Sequence, residues 1–138
     1  MMSNSQETRW MQRLESFDSV LAQLTDACAI AEYSDLERAG LVQTFGFSFE
    51  LAWNTLKDLL FYEGYEEKVP RSIIRRSFEA GYLGENDCES LLDALDKRNL
   101  LSHTYRKELA LEAEALIKDR YHPALLRLHA ALNARRRR

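Results

Sequence analysis

The residues with the richest chemistry in this sequence lie in one short segment, from Arg98 to Tyr105. Its eight residues, RNLLSHTY, contain a guanidinium, an amide, an imidazole, two hydroxyls and a phenol. Arginine binds phosphate through a rigid fork of donors, and histidine is the side chain that most readily moves a proton near neutral pH. The pair Arg98 and His103 therefore suggests phosphodiester chemistry.

The spacing of these residues sets a geometric condition on such chemistry. A metal-independent ribonuclease needs a base for the ribose 2′-hydroxyl, an acid for the leaving oxygen and positive charge on the phosphorane. On a straight helix, Arg98 and His103 point roughly 140° apart. They can meet over one phosphate if the helix breaks near Ser102, or if His103 of one subunit faces Arg98 of another. Asp96 can orient an imidazole, and Asn99 can hold a phosphate or a backbone carbonyl.

The same segment also has a purely structural interpretation, because Arg and His at a helix C-terminus complement the helix dipole and its free carbonyls. His122 and His129 are the other acid/base candidates, and no Ser/His/Asp order, phosphate-binding glycine loop or metal-ligand cluster suggests a rival active site. No metal or other cofactor is therefore expected. Cys28 and Cys88 stand alone and are predicted to be buried free thiols in a reducing cytosol.

The composition predicts one water-soluble domain. The chain has 138 residues, of which 46% are hydrophobic and 30% charged, and only five are Gly and two Pro, which favours long helices. A net charge of −3 is unlike that of a general nucleic-acid binder, although basic residues cluster locally. No apolar run is long enough to cross a membrane and no signal peptide is visible, so a cytoplasmic location is expected. We predict a single domain over 1–134 and a disordered basic tail over 135–138.

Apolar periodicity and helix-end signals predict the elements. Apolar residues spaced four and three apart predict a first helix over 8–33, and the capping box SDLE opens a second over 35–63, which Gly64 ends. Pro70 suits the first position of a third helix, and a second capping box, NDCE, opens a fourth at residue 86. A last helix begins near 106, and Pro123 should kink or break it. Short connections favour an all-α antiparallel bundle of four to five helices.

The second helix carries the first indication of an oligomer. Gly40 and Gly46 lie inside it although each costs roughly 1 kcal/mol relative to Ala. We expect another helix to approach closely there, either from the bundle or from a second subunit. Aromatic residues spread around the circumference of this helix also predict two buried faces.

Several segments together resemble a known family. The pattern Arg98-x-x-x-x-His103-x-Tyr105 resembles the signature of the HEPN superfamily, in particular the HepT toxins encoded beside a minimal nucleotidyltransferase (MNT) antitoxin. Nearly the whole chain is also similar to the branch described as nucleotidyltransferase substrate-binding proteins. That similarity is carried by the segments RW at 9–10, FGFSFELAWNTLK at 45–57, YEG at 62–64 and RNLLSHTY at 98–105.

The resemblance implies a HEPN-like helical bundle that forms a homodimer and cleaves RNA without a metal, with the motif in a cleft at the dimer interface. Carried over by position, Arg98 and His103 are the catalytic pair and Asn99 supports them. Tyr105 is then the residue that the cognate minimal nucleotidyltransferase modifies with AMP to silence the toxin. A bulky anionic group there would repel an RNA phosphate.

Two other functions are consistent with the sequence. The protein can be a non-catalytic subunit that docks on a nucleotidyltransferase and presents a substrate or nucleotide to it, with the same polar cluster holding a phosphate. It can also be a helical scaffold that binds no ligand.

Overall fold

The computed structural model describes residues 2–136, with side chains from residue 5 onward, and no residue in that range lies in a β-strand. The prediction of an all-α helical bundle is therefore confirmed. The elements are α1 (Met2–Cys28), α2 (Asp35–Tyr62), α3 (Pro70–Glu79), α4 (Glu85–Asp96), α5 (Arg98–Ser102), α6 (Lys107–Leu116), a π-helical segment (Ile117–Tyr121) and α7 (His122–Arg136). None of these described helices is long and apolar enough to cross a membrane.

The ends of α2 follow the local sequence as predicted. At its start, the Ser34 hydroxyl accepts a hydrogen bond from the Glu37 amide at 3.1 Å, and the Glu37 carboxylate accepts one from the Ser34 amide at 2.9 Å. This is the predicted capping box, and it lowers the pKa of Glu37 through the backbone hydrogen bond. After α2 the chain turns at Gly64, whose φ of 97° is in the left-handed region that favours glycine.

Three predicted helix boundaries were wrong. The first helix runs from Met2 to Cys28 rather than from residue 8 to residue 33. The Tyr33 hydroxyl instead donates a 2.5 Å hydrogen bond to the Ala27 carbonyl at the helix end. The last four carbonyls of an α-helix accept no hydrogen bond within the helix, so the Tyr33 hydroxyl stabilises this end of α1. The second capping box is absent because α4 begins earlier. Gly84 occupies the N-cap in extended conformation, and its carbonyl accepts the first helical hydrogen bond, from Cys88.

The interruption predicted at Pro123 is present as a π-helical segment. Proline has no amide hydrogen to continue the α-helical ladder, and the five residues Ile117–Tyr121 form wider π turns immediately before α7. The chain then continues as α7 through Arg136, so part of the arginine run is helical rather than a separate tail. Arg135 binds the Glu63 carboxylate at 2.5 Å and stacks over the Tyr82 ring at 4.7 Å. Arg137 and Arg138 lie outside the described residues.

Contacts between side chains of different helices show which helices are antiparallel. Arg13 binds Asp58, 3.0 Å apart, and Glu7 accepts a hydrogen bond from Tyr62, so α1 and α2 are antiparallel. The contacts of Thr25 with His122 and of Phe17 with His129 show that α7 is also antiparallel to α1. The helix α4 is antiparallel to the π segment and α7, since its first turn binds α7 and its last turn binds the π segment. The predicted apolar face of α1 forms the centre of the core: Trp10, Leu14, Phe17, Leu21 and Leu24.

The glycines inside α2 are not explained by packing within the subunit. A Cβ built on Gly40 or on Gly46 meets no atom within 4 Å in the part of the chain that the structure describes. Both residues are exposed. The close approach expected there is therefore not made by another helix of this bundle.

Candidate functional site

The segment Arg98 to Tyr105 lies where the chain leaves α4, and it is broken twice. Lys97, with φ −94° and ψ 18°, separates α4 from the single turn of α5. The turn ends at His103, with φ −113° and ψ 29°. One of the two geometries considered from the sequence, a break near Ser102, is thus present in the chain.

Asp93, in the last turn of α4, holds this junction in place. Its carboxylate accepts hydrogen bonds from the Tyr121 hydroxyl at 2.5 Å and from Lys97 Nζ at 3.0 Å, and it pairs with Arg120 at 3.0 Å. Burial alone would raise the pKa of Asp93, but the hydrogen bonds from Tyr121 and Lys97 and the charges of Lys97 and Arg120 together lower it. Asp93 was not among the predicted site residues. The local signal that could have identified it is its four-residue spacing from Lys97.

A groove of about 600 Å³ runs between α2 and the α4–α5 junction. Its floor is apolar, with Val42, Phe45, Phe49 and Leu101, and its lining also includes Arg98, Ser102, Thr104, Gly46, Phe47 and Glu50. Arg98 Nη2 donates to Glu50 Oε1 across 3.4 Å, and about half of each side chain is exposed. An exposed ion pair of this length contributes little stability. A phosphate can therefore compete with Glu50 for the Arg98 guanidinium.

The other half of the segment projects into solvent beyond the groove. Tyr105 is 80% exposed, and its ring meets that of His103 edge to face, with centroids 5.7 Å apart and planes at 84°. Among the described residues, neither side chain forms a hydrogen bond or an ion pair. Ser102 in contrast is occupied, because its hydroxyl donates to the Arg98 carbonyl at 2.8 Å. The imidazole and the phenol are free to engage a ligand or an enzyme.

The structure separates the residues that the sequence grouped. Arg98 lines the groove, whereas Asn99, His103 and Tyr105 do not, and no hydrogen bond or ring contact joins Arg98 to His103 within the described residues. Asp96 forms an ion pair with Arg71 of α3, and among the described residues it forms no hydrogen bond or ion pair with an imidazole. In one subunit, Arg98 therefore lies in the groove lining and His103 lies outside it.

The remaining histidines and the thiols are part of the packing. His122 is buried, and burial lowers its pKa. Burial likewise raises the pKa of Cys28 to about 11, so this thiol is a poor nucleophile. Over the described residues, no group of three or more His, Cys, Asp or Glu side chains is arranged to hold a metal ion.

The fold and the site together define a small helical-bundle protein with an exposed Arg/His/Tyr segment beside a polar-rimmed groove. The chain belongs to the family described as nucleotidyltransferase substrate binding protein like, whose sequence model matches residues 12–134. This supports the family resemblance found in the sequence at the level of that branch.

A solved structure supports the same assignment. The chain is similar to ttk003001694 from Thermus thermophilus, known from a crystal structure, with 31% identity and a TM-score of 0.74. The similarity covers 88% of this chain and 99% of the Thermus chain. Among curated proteins, none matches the chain significantly.

Proposed function

We propose that this protein is the toxin of a HEPN/MNT toxin–antitoxin pair, a metal-independent endoribonuclease that uses Arg98 and His103. The observation that carries the proposal is the exposure of these two side chains and their few hydrogen-bond partners. Arg98 lines a groove where it is held by a weak exposed ion pair, and the His103 imidazole is exposed and forms no hydrogen bond among the described residues. Membership of the nucleotidyltransferase-linked family supports the proposal.

In the proposed reaction, the ribose 2′-oxygen forms a bond to the neighbouring phosphorus, and the bond from phosphorus to the 5′-oxygen of the next nucleotide breaks. One imidazole accepts the proton of the 2′-hydroxyl and another donates a proton to the departing 5′-oxygen. The Arg98 guanidinium binds the phosphorane oxygens, on which negative charge accumulates. The Asn99 amide supports the same phosphate. Asp96 acts indirectly, by holding Arg71 next to the α4–α5 junction.

The proposed reaction needs a second subunit. It uses one acid and one base, whereas the segment of each chain has one histidine, and that histidine forms no hydrogen bond with Arg98 among the described residues. A symmetric homodimer brings two copies of each residue to one cleft. His103 of one subunit can then act on a phosphate bound by Arg98 of the other.

We propose Tyr105 as the control point. The cognate minimal nucleotidyltransferase would catalyse attack of the Tyr105 hydroxyl oxygen on the α-phosphorus of ATP, with pyrophosphate leaving and the phenolic proton passing to a base of that enzyme. The 80% exposure of Tyr105 makes its hydroxyl accessible to an enzyme. The product carries a negative charge next to His103, where it repels the phosphate of RNA.

The test is cleavage of single-stranded RNA by purified unmodified protein, with and without EDTA, beside R98A and H103A. We expect cleavage that EDTA does not inhibit and a fall of at least about 100-fold in rate for each variant, in line with the loss of one acid/base or oxyanion group. Arg106→Ala is the matched control, because Arg106 is an exposed arginine of the same loop that pairs with Glu108. Full activity in both R98A and H103A, or no cleavage by the wild type, would refute the proposal.

The second candidate is a non-catalytic subunit that docks on a nucleotidyltransferase and holds its substrate. Two observations favour it: the family description, and the position of His103 outside the lining of the groove that contains Arg98. This function predicts that the protein binds its nucleotidyltransferase and a nucleotide, that R98A weakens the nucleotide binding, and that RNA stays intact. Calorimetric titration beside the cleavage assay separates the two candidates.

A further inference from the structure

The outer face of α3 carries arginines beside an exposed phenylalanine. The buried residues of this helix lie on its other side: Ile73, Ile74 and Ser77. Arg71, Arg75 and Phe78 are four and three positions apart, so they share one side of the helix. We call these three residues the α3 face. The proposed reaction gives no role to Arg75 or to Phe78.

A cavity of about 360 Å³ opens on this part of the helix, and its lining includes Arg71, Arg75 and Arg76. Two carboxylates also line it, those of Glu67 and Glu79, and both pair with Arg76, at 3.1 and 3.4 Å. Arg75 is exposed, and among the described residues it forms no hydrogen bond or ion pair. The cavity therefore contains a guanidinium whose donors are available to a ligand.

Arg71 connects the α3 face to the candidate site. Its guanidinium pairs with Asp96, the last residue of α4, which lies two positions before Arg98. The pair uses only Nη2 of Arg71, and a guanidinium has further N–H donors that can bind a phosphate at the same time. Positive charge therefore extends from Arg98 at the groove, through Arg71, to Arg75 one helical turn farther along.

The combination of arginines and an exposed ring indicates a single strand of nucleic acid as the ligand. Guanidinium groups bind the phosphates of such a strand, and aromatic rings stack on its bases whatever their sequence. Phe78 is 41% exposed at the end of the α3 face, three positions after Arg75. An acidic protein segment would be bound by the arginines alone, whereas a nucleic acid also uses the ring.

We propose that the α3 face binds the RNA strand that continues from the phosphate held by Arg98. Phosphates of the flanking nucleotides contact Arg71 and then Arg75, and a base farther along stacks on Phe78. The choice of RNA as the ligand rests on the proposed function, whereas the surface is defined without it. A chain with a net charge of −3 can bind a polyanion in this way because its positive charge is local.

The first test is the affinity for a labelled single-stranded RNA of about 12 nucleotides, within the range that such sites hold, measured by fluorescence anisotropy at low salt. Every protein carries His103→Ala, which keeps the RNA intact if the proposed function holds. We expect Arg75→Ala to weaken binding about tenfold, as for one hydrogen bond to a charged group, and Arg75→Glu to weaken it more. Arg75→Lys keeps the charge and should lose less affinity than Arg75→Ala.

The charge-matched control for Arg75→Ala is Arg127→Gln. Arg127 binds Asp87 in the first turn of α4, at the opposite end of that helix from Asp96, so its loss should leave RNA affinity unchanged. Far-UV circular dichroism checks that each variant is folded. Binding by folded Arg75→Ala and Arg75→Glu that is as tight as that of the parent protein would overturn the inference.

The salt dependence of binding reports how many phosphates are bound. Each phosphate contact of a single strand contributes about −0.7 to the slope of log K against log salt concentration. Arg75→Ala should therefore make the slope shallower by about 0.7, and the double variant with Arg71→Ala by about twice as much. Arg127→Gln should leave the slope unchanged. A slope in the double variant equal to that of the parent protein would show that no phosphate binds at the α3 face.

Phe78 distinguishes RNA from a polyanion without bases. Phe78→Ala should weaken RNA binding at least about fivefold, the loss of one stacked base. It should leave the binding of heparin unchanged, because heparin has no base to stack. Leu126→Ala is the matched control, since Leu126 is 42% exposed on α7. Equal RNA affinity in Phe78→Ala and Leu126→Ala would contradict stacking and leave only an unspecific anion surface.

These results are separable from the ribonuclease assay. RNA binding that depends on Arg75, in a wild type that leaves RNA intact, would refute the proposed function and keep the α3 face. Cleavage by the wild type with an unchanged KM in Arg75→Ala would keep the proposed function and overturn the α3 face. If both proposals hold, the loss of activity in Arg75→Ala appears mainly as a higher KM, because the flanking strand is bound equally in the ground state and the transition state.

Discussion

The Tyr121 hydroxyl donates a 2.5 Å hydrogen bond to the Asp93 carboxylate and so joins the π-helical segment to the last turn of α4. Tyr121 is fully buried, and its ring stacks on Phe45 of α2 at 5.4 Å between centroids. The three elements around the groove are therefore tied together at one phenol. Burial and the Asp93 carboxylate both raise the pKa of Tyr121, which keeps it a hydrogen-bond donor.

Removing that hydroxyl tests how much this contact stabilises the bundle. We expect Tyr121→Phe to lower the free energy of unfolding by about 1.5–3 kcal/mol, the range for a hydrogen bond to a charged group. The ring, and with it the packing on Phe45, is kept. The measurement is urea unfolding at about pH 7.5. Tyr105→Phe removes the same atom from an exposed side chain and should change the stability by less than about 0.5 kcal/mol.

The buried imidazole of His122 makes the stability depend on pH. Thr25 donates its only hydroxyl proton to the Leu21 carbonyl, so the 2.9 Å contact between Thr25 and His122 needs a hydrogen on Nε2 of the imidazole. Burial lowers the pKa of His122 below its usual 6.5. The unfolded chain therefore binds a proton more readily than the folded one, and stability falls as the pH drops through 6.5 toward the lower folded pKa.

We expect His122→Gln to reduce this pH dependence, because a glutamine amide can donate to Thr25 but does not titrate. The quantity to compare is the change in free energy of unfolding between about pH 7.5 and 5.5, in the wild type and in the variant. Other groups contribute equally to both proteins and cancel in the difference. An identical change in the two proteins would contradict the assigned role of His122.

If AMP transfer to Tyr105 controls the protein, silencing should require the Tyr105 hydroxyl oxygen. Tyr105→Phe should retain the RNA cleavage of the unmodified protein, because the phenol hydroxyl has no role in the cleavage step. It should resist silencing by the nucleotidyltransferase and ATP. Intact-mass spectrometry should show one added AMP on the wild type and none on the variant. Addition of AMP to the variant would place the modification on another residue.

Substitution by alanine should stabilise the protein at Gly40, inside α2, and destabilise it at Gly64, after α2. Gly40→Ala should raise the free energy of unfolding by about 0.5–1 kcal/mol, because a Cβ there meets no atom of the described residues within 4 Å. Gly64→Ala should lower it by about 1 kcal/mol, because Gly64 has a φ of 97°. Urea unfolding measures both. Destabilisation by Gly40→Ala would contradict the open space seen at this position.

The sequence by itself determined the helical architecture, because the signals involved act over three or four residues. The capping box at Ser34, the left-handed glycine at position 64 and the interruption before Pro123 are all present as predicted. The apolar spacing of α1 likewise identified its buried face. At the start of α4 the local signal was misleading, because the chain uses Gly84 as the N-cap instead of the NDCE capping box.

Tertiary structure decided what surrounds the candidate site. Arg98 pairs with Glu50, which lies 48 residues earlier, and Asp96 with Arg71, 25 residues earlier. Asp93 receives its hydrogen bond from Tyr121, 28 residues later. Partners this far apart in the chain follow from how the helices pack, and no local period encodes them. The sequence could therefore mark Arg98 and His103 as candidates, whereas only the folded bundle placed one in a groove and the other outside it.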